Sequence, residues 1–180
     1  MAEKIMLIRH AEKPDETGSV LGIDEAGRPD PNQLSVRGWQ RAGALVRFFA
    51  PLGQEHPKGI ATPSAIFACK PHNGSSSVRP YHTVLPLATA LGLTINHDYA
   101  KSDDASLFEA LQAASGAAVL CWVHDPIPGV ARKIAGDLPG IPAKWAGKRY
   151  DLVWILDRNE TGWSFSQVGQ LLLPGDSKPI

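Results

Sequence analysis

The sequence lacks an excess of charge of either sign. Eighteen lysine and arginine residues balance 18 aspartate and glutamate residues. Proteins that bind nucleic acid or acidic membranes draw on surplus positive charge. We therefore predict no nucleic-acid partner and no membrane partner, and any site for an anion must arise from a local cluster.

Long apolar runs are absent as well. No run approaches the roughly 18 residues that a membrane helix requires. The first ten residues, MAEKIMLIRH, are too short and too polar for a signal peptide. We expect a cytoplasmic protein.

Cysteine is scarce, and the two cysteines, Cys69 and Cys121, do not have the spacing of metal ligands. Each lies in an apolar stretch that is typical of a strand. This favours buried free thiols over a disulfide or a reactive pair.

What the sequence does contain is an alternation of strand and helix patterns. Its 180 residues and 43% hydrophobic content suit one globular domain spanning residues 1–180. The predicted strands are 4–8, 65–69, 117–124, 150–156 and 163–168, and the predicted helices are 36–50, 80–91, one ending at 114, and 127–138. The last two strands form an antiparallel hairpin. Such alternation predicts an α/β fold with a mostly parallel central sheet covered by helices on both faces.

Charged residues follow the strands of this predicted sheet. Arg9 and His10 come directly after the first strand, and His124 ends the third. Arg79 lies between the second strand and its helix. Because ligands bind beyond the carboxyl ends of parallel strands, we expect these four side chains to share one edge of the sheet.

Their chemistry suits a phosphoryl group. Arginine presents a planar, charged fork that matches phosphate oxygens. A neutral histidine nitrogen can attack phosphorus, and a second, protonated histidine can stabilise charge on the transferring oxygens. Taken singly, a histidine at a strand end is more often structural and an arginine more often a surface charge, so the residues alone leave both interpretations open.

Four segments, in this order, resemble the histidine phosphatase superfamily, the phosphoglycerate-mutase-like proteins. They are LIRHAEKP at 7–14, LSVRGWQRAGAL at 34–45, SSSVRPYHTVLPLATALGL at 75–93 and AVLCWVH at 118–124. The resemblance implies a three-layer α/β/α sandwich.

The same resemblance implies roles for individual residues. It makes His10 the phosphate acceptor and assigns Arg9, Arg79 and His124 to the phosphate pocket. Its Ser-x-x-x-Arg-x-x-x-Thr pattern corresponds to Ser75, Arg79 and Thr83.

The sequence departs from the family at the proton donor. The usual catalytic Glu has no clear counterpart between residues 83 and 118, whereas Asp125 follows the pocket histidine, as in the acid-phosphatase branch. A buried carboxyl there would have a raised pKa and could serve as general acid. Asp125 is equally suited to cap the next helix. Asp103, Asp104 and Glu109 are the reserve candidates.

The function predicted is hydrolysis of a small phosphorylated metabolite or a phosphoprotein, without cofactor or metal. Two alternatives share the fold: a mutase, for which the chain is short, and a phosphate-binding domain that has lost catalysis. A zinc site built on His10 and His124 lacks a good third ligand. The loops at 13–33 and 139–149 are expected to form the lips of the pocket.

Overall fold

A computed structural model of the chain describes residues 1–71 and 77–179. Strands and helices alternate along most of it, as the sequence pattern predicts. In chain order the elements are β1 (Ala2–Arg9), α1 (Val36–Phe49), β2 (Ala65–Ala68), α2 (Arg79–Leu91), β3 (Ile95–Asn96), α3 (Asp104–Ala113), β4 (Gly116–Trp122), α4 (Ile127–Ala135), β5 (Leu152–Asn159) and β6 (Gly162–Gly169).

The strands form one six-stranded sheet in the order β3-β2-β4-β1-β5-β6. The first four of these neighbours pair in parallel, while β5 runs antiparallel to both β1 and β6. The predicted mostly parallel sheet is therefore confirmed, and so is the antiparallel hairpin at its edge.

The sheet is covered on both faces. Alternate residues of β1 point to opposite sides, so Ile5 and Leu7 join a core with α3 and α4, whereas Met6 and Ile8 join a core with α1 and α2. The result is the predicted three-layer α/β/α sandwich. No helix of the described residues is long and apolar enough to cross a membrane.

The differences from the predicted elements are local. The two-residue edge strand β3 was not predicted, because so short a segment carries no readable alternation. Helix α4 ends at Ala135 rather than at residue 138, since Gly136 adopts a positive φ of 76°. Cys69 and Cys121 are buried free thiols, as expected.

The pairing of the two central strands positions the functional edge. Arg9 lies opposite Trp122 in the parallel ladder of β1 and β4, and the His10 amide donates to the Trp122 carbonyl oxygen at 3.0 Å. The residues that follow both strands, His10 on one and His124 on the other, therefore emerge side by side at the carboxyl edge of the sheet.

Candidate active site

A cavity of about 520 Å³ opens at this carboxyl edge. All five residues predicted for the site line it: Arg9, His10, Arg79, His124 and Asp125. Its size suits a small-molecule ligand.

The geometry of His10 determines which ring nitrogen can react. The imidazole is only 4% exposed, and its Nδ1 lies 2.8 Å from the Ala11 carbonyl oxygen. A carbonyl only accepts hydrogen bonds, so Nδ1 carries the proton and Nε2 keeps its lone pair. Burial, reinforced by the nearby cations, lowers the pKa of His10 to about 3. At neutral pH the ring is therefore uncharged, with a nucleophilic Nε2.

The Arg9 side chain is positioned by contacts with two residues that lie far along the chain, Gly147 and Tyr150. Its guanidinium carbon lies 3.9 Å from the centroid of the Tyr150 ring, and Nη2 donates to the Tyr150 hydroxyl at 3.2 Å. Nη1 donates to the Gly147 carbonyl oxygen. The Nε–H is buried and has no partner among the described residues. Arg9 thus keeps a fixed charge at the cavity.

Arg79 is the first residue of α2, so the start of this helix positions its side chain. Nη1 donates to the Pro31 carbonyl oxygen at 3.0 Å, while its buried Nε–H has no partner in the described part of the chain. Burial lowers the pKa of Arg79, but a guanidinium stays charged at neutral pH.

Thr83 lies one helical turn after Arg79 and connects α2 to the segment that follows β1. Its hydroxyl donates to the Arg79 carbonyl oxygen at 2.8 Å and accepts from the Ala11 amide at 2.8 Å. The fully buried side chain therefore ties α2 to the segment that carries His10. Ser75, the other residue of that pattern, lies outside the described residues.

His124 and Asp125 form a pair at the cavity wall. His124 Nε2 lies 3.2 Å from Asp125 Oδ1, and the two side chains are 30% and 89% exposed. Burial and the charge of Arg9 lower the pKa of His124. The expectation of a buried Asp125 carboxyl is wrong: the residue lies past the end of β4, and its exposed side chain lines the cavity. Nor does it cap the next helix, because Pro126 is the N-cap of α4 and no side chain caps it.

Comparisons with known proteins address the fold. No protein-family model matches this sequence, and no curated protein sequence matches it. Solved structures do. A mycobacterial glucosyl-3-phosphoglycerate phosphatase in complex with VO3 is 14% identical, with a TM-score of 0.59, over 92% of this chain and 97% of that one.

Two further structures agree. The protein histidine phosphatase SixA complexed with tungstate is 14% identical, with a TM-score of 0.54, over 93% of this chain and 97% of that one. Phosphoglycerate mutase from Plasmodium falciparum is 11% identical, with a TM-score of 0.56, over 98% and 97%. This chain has the histidine phosphatase fold.

Two reserve candidates for the general acid, Asp103 and Glu109, do not line the cavity. Asp103 accepts from the Ala100 amide at 2.9 Å and from the Ser102 hydroxyl at 3.3 Å, which stabilises the turn before α3. Glu109 is exposed on α3 and does not line the cavity. The side chain of Asp104 lies outside the described part of the structure.

Further residues that contribute to this candidate site were not predicted individually. Tyr150 and Gly147 hold Arg9, and Lys13 and Lys101 line the cavity. The loop predictions were the nearest signals, since Lys13 lies in the loop predicted at 13–33 and Gly147 lies in the loop predicted at 139–149. The lysines stand in polar stretches with no pattern that separates them from solvated charges. Among the described residues, no group of three or more His, Cys, Asp or Glu side chains is arranged to hold a metal ion.

Proposed function

We propose that this chain is a phosphomonoester hydrolase of the histidine phosphatase superfamily, with His10 as the nucleophile. One observation carries the proposal: a neutral, buried His10 has its Nδ1–H committed to a backbone carbonyl, so that Nε2 is free to attack. Arg9 and Arg79 line the same cavity, and their planar, charged guanidinium groups suit phosphate oxygens.

The reaction proceeds in two balanced steps. His10 Nε2 forms a bond to phosphorus while the ester P–O bond breaks, and the leaving oxygen takes a proton from the general acid. Water then attacks the phosphohistidine, the P–N bond breaks, and the water proton passes to the carboxylate. Arg9 and Arg79 stabilise the charge on the phosphoryl oxygens in both transfers, and His124, whose lowered pKa leaves it neutral at neutral pH, acts as a hydrogen-bonding group beside them.

Asp125 is the carboxyl that we assign to proton transfer, because it is the one that lines the cavity among the described residues. Its exposure supports a second candidate function as well. A carboxylate open to solvent and paired with His124 suits a phosphate-binding domain without efficient catalysis.

Further parts of the proposal concern the whole protein. We assign it one domain over residues 1–180, a cytoplasmic location, no cofactor and no metal. Substrates are small phosphorylated metabolites or phosphoproteins. Support for metal independence comes from the chemistry itself, because two arginines supply the positive charge that a divalent ion would otherwise bring to phosphate.

His10→Ala tests the proposal. With nitrophenyl phosphate as substrate, we expect the variant to lose turnover and to form no acid-labile phosphoenzyme, because the substitution removes the attacking Nε2. His97→Ala is the control, since that histidine is exposed and outside the cavity. Wild-type turnover should also survive EDTA.

Three outcomes would contradict the proposal. Turnover retained by a folded His10→Ala protein rules out the nucleophile. Loss of wild-type activity in EDTA with recovery on adding zinc or magnesium rules out metal independence. Phosphate binding without any turnover by the wild type favours the non-catalytic candidate.

A further inference from the structure

The loop between β1 and α1 is fastened to both helices that cover this face of the sheet. Trp39 of α1 donates from Nε1 to the Ile23 carbonyl oxygen at 2.8 Å. The Val78 amide, directly before α2, donates to the Asn32 carbonyl oxygen at 3.3 Å. The last part of the loop therefore lies against the start of α2.

This part of the loop supports Arg79. Residues 30–33 form a turn in which the Gln33 amide donates to the Asp30 carbonyl oxygen at 3.2 Å. Within the turn, the Pro31 carbonyl oxygen accepts from Arg79 Nη1 at 3.0 Å. Because Arg79 lines the cavity, the position of the 30–33 turn affects the direction in which its guanidinium points.

A histidine of α2 holds the end of the same turn. His82 Nδ1 lies within hydrogen-bond distance of Gln33 Oε1, and Gln33 is only 9% exposed. An amide oxygen only accepts hydrogen bonds, so Nδ1 carries the proton and donates it. Burial lowers the pKa of His82, so at neutral pH the ring is uncharged and this N–H is its one donor.

The His82 ring is packed between aromatic side chains of two helices. The Trp39 ring of α1 lies 5.3 Å away between centroids, at 31°, and the Tyr81 ring lies 5.6 Å away on the other side of the sequence neighbour. His82 is not among the described residues that line the cavity. Any effect of this side chain on the reaction must therefore pass through the turn.

We propose that His82 is a positioning residue, which fixes the 30–33 turn through Gln33 and thereby directs Arg79 towards the phosphoryl group. The inference rests on the proposed function, since it takes Arg79 as a ligand of that group. It does not depend on which residue is the nucleophile or the general acid. A displacement of about 1 Å in a group that contacts the substrate can slow turnover about a hundredfold, so a contact outside the cavity has a measurable effect.

Two substitutions separate the hydrogen bond of His82 from its bulk. His82→Asn keeps an N–H donor near the position of Nδ1, whereas His82→Leu fills a similar space without a donor. With nitrophenyl phosphate, we expect kcat/KM of His82→Leu to fall by between about tenfold and a hundredfold, and His82→Asn to recover most of that loss. Gln33→Leu removes the acceptor and should resemble His82→Leu.

His97→Leu is the matched control. This exposed histidine contacts the same aromatic cluster, with its ring 5.2 Å from that of Tyr81, and does not line the cavity. We expect it to keep the wild-type kcat/KM. Urea unfolding identifies the variants that are folded under the assay conditions, and Gln33→Leu replaces His82→Leu if the latter does not fold.

A double-mutant cycle shows whether the effect passes through Arg79. In an Arg79→Gln background, His82→Leu should cause little further loss of kcat/KM, because the group that it would misplace is already absent. A role in general stability alone would instead give the same fractional loss in both backgrounds.

The outcomes separate the two proposals. Wild-type kcat/KM in folded His82→Leu, or equal losses in the two backgrounds of the cycle, overturns the positioning role and leaves the phosphatase intact. If the wild type hydrolyses no ester, calorimetric titration with inorganic phosphate still decides. Weaker binding by His82→Leu than by His82→Asn then supports the role, and equal binding overturns it. A wild type that neither hydrolyses an ester nor binds phosphate overturns both proposals.

Discussion

At the scale of single residues, the site depends on one buried imidazole that is neutral when folded. His10 has an ordinary pKa of 6.5 and a folded pKa of about 3, with burial as the main cause. Between these values the unfolded chain binds a proton that the folded protein does not. The free energy of unfolding must therefore fall as pH is lowered through this window.

This pH dependence can be measured. We predict that His10 contributes at most about 1.4 kcal/mol of lost stability per pH unit between pH 6.5 and pH 3. Urea unfolding in phosphate-free buffer should show a steeper loss on acidification for the wild type than for His10→Gln, which cannot bind the proton. Other titrating groups are common to both proteins and cancel in the comparison. Parallel curves would show that His10 is not buried neutral.

The role of Asp125 as general acid can be tested with substrates whose leaving groups differ in their need for a proton. Asp125→Asn should slow hydrolysis of alkyl phosphates by about a hundredfold or more, the scale of general-acid catalysis, and should barely affect nitrophenyl phosphate, because nitrophenolate leaves without a proton. Asp137→Asn, a change at a 96% exposed carboxylate, is the control. Equal effects on both substrates would exclude Asp125 as the acid.

At the scale of elements, the close approach of α1 to the His10 segment sets the shape of the site. The hydroxyl of the N-cap Ser35 accepts from the Gly38 amide at 3.2 Å and donates to the Glu12 carbonyl oxygen at 3.1 Å. A Cβ at Gly38 would lie 2.4 Å from that same oxygen. Only glycine lets the helix contact the backbone two residues after His10.

Two glycines of α1 provide a matched test. Gly38→Ala should lower the free energy of unfolding by about 1–3 kcal/mol through overpacking, and it should reduce activity by displacing the His10 segment. Gly43→Ala on the same helix meets nothing within 4 Å, so it should raise stability by about 1 kcal/mol through helix propensity. Urea unfolding measures both. Similar effects at the two positions would contradict the close-approach argument.

At the scale of the whole molecule, one buried arginine joins distant parts of the chain. The Arg41 side chain is 2% exposed. Its Nη2 lies 2.7 Å from Glu12 Oε1 and 2.8 Å from Asp176 Oδ1, and its Nη1 donates to Gln170 Oε1 at 2.9 Å. The segment after His10, helix α1 and the C-terminal residues thus meet at one guanidinium.

Removing that guanidinium should destabilise the protein strongly. Arg41→Ala leaves the Glu12 and Asp176 carboxylates without their buried partner, and we predict a loss of about 3–5 kcal/mol. Arg37→Ala is the matched control: it contacts the same two carboxylates at 3.2 and 3.8 Å but is 43% exposed, so it should cost at most about 1 kcal/mol. Thermal or urea unfolding compares them, and similar losses would contradict a network centred on Arg41.

Local pattern determined most of the elements and the choice of site residues. Short apolar runs predicted the buried strands β1, β2, β4 and β5, and the alternation of apolar and polar residues from Trp163 to Val168 predicted β6. Ser35, a residue type that favours the N-cap position, caps α1. The order of elements alone predicted that Arg9, His10, Arg79 and His124 lie at one edge of the sheet, because the carboxyl ends of parallel strands meet there.

Only the tertiary structure determined which atoms of the site contact one another and which of them are exposed. Arg9 meets Gly147 and Tyr150 across 138 and 141 positions of chain, and no periodicity encodes such a contact. Arg41 looks like an ordinary helical surface charge until the C-terminal segment covers it. The exposure of Asp125 and the hydrogen bond of His10 Nδ1 to the Ala11 carbonyl oxygen likewise depend on how the loops fold at the edge of the sheet. Local propensity depends on neighbours within a turn or two, whereas side-chain burial and partners depend on segments that meet only after the chain has folded.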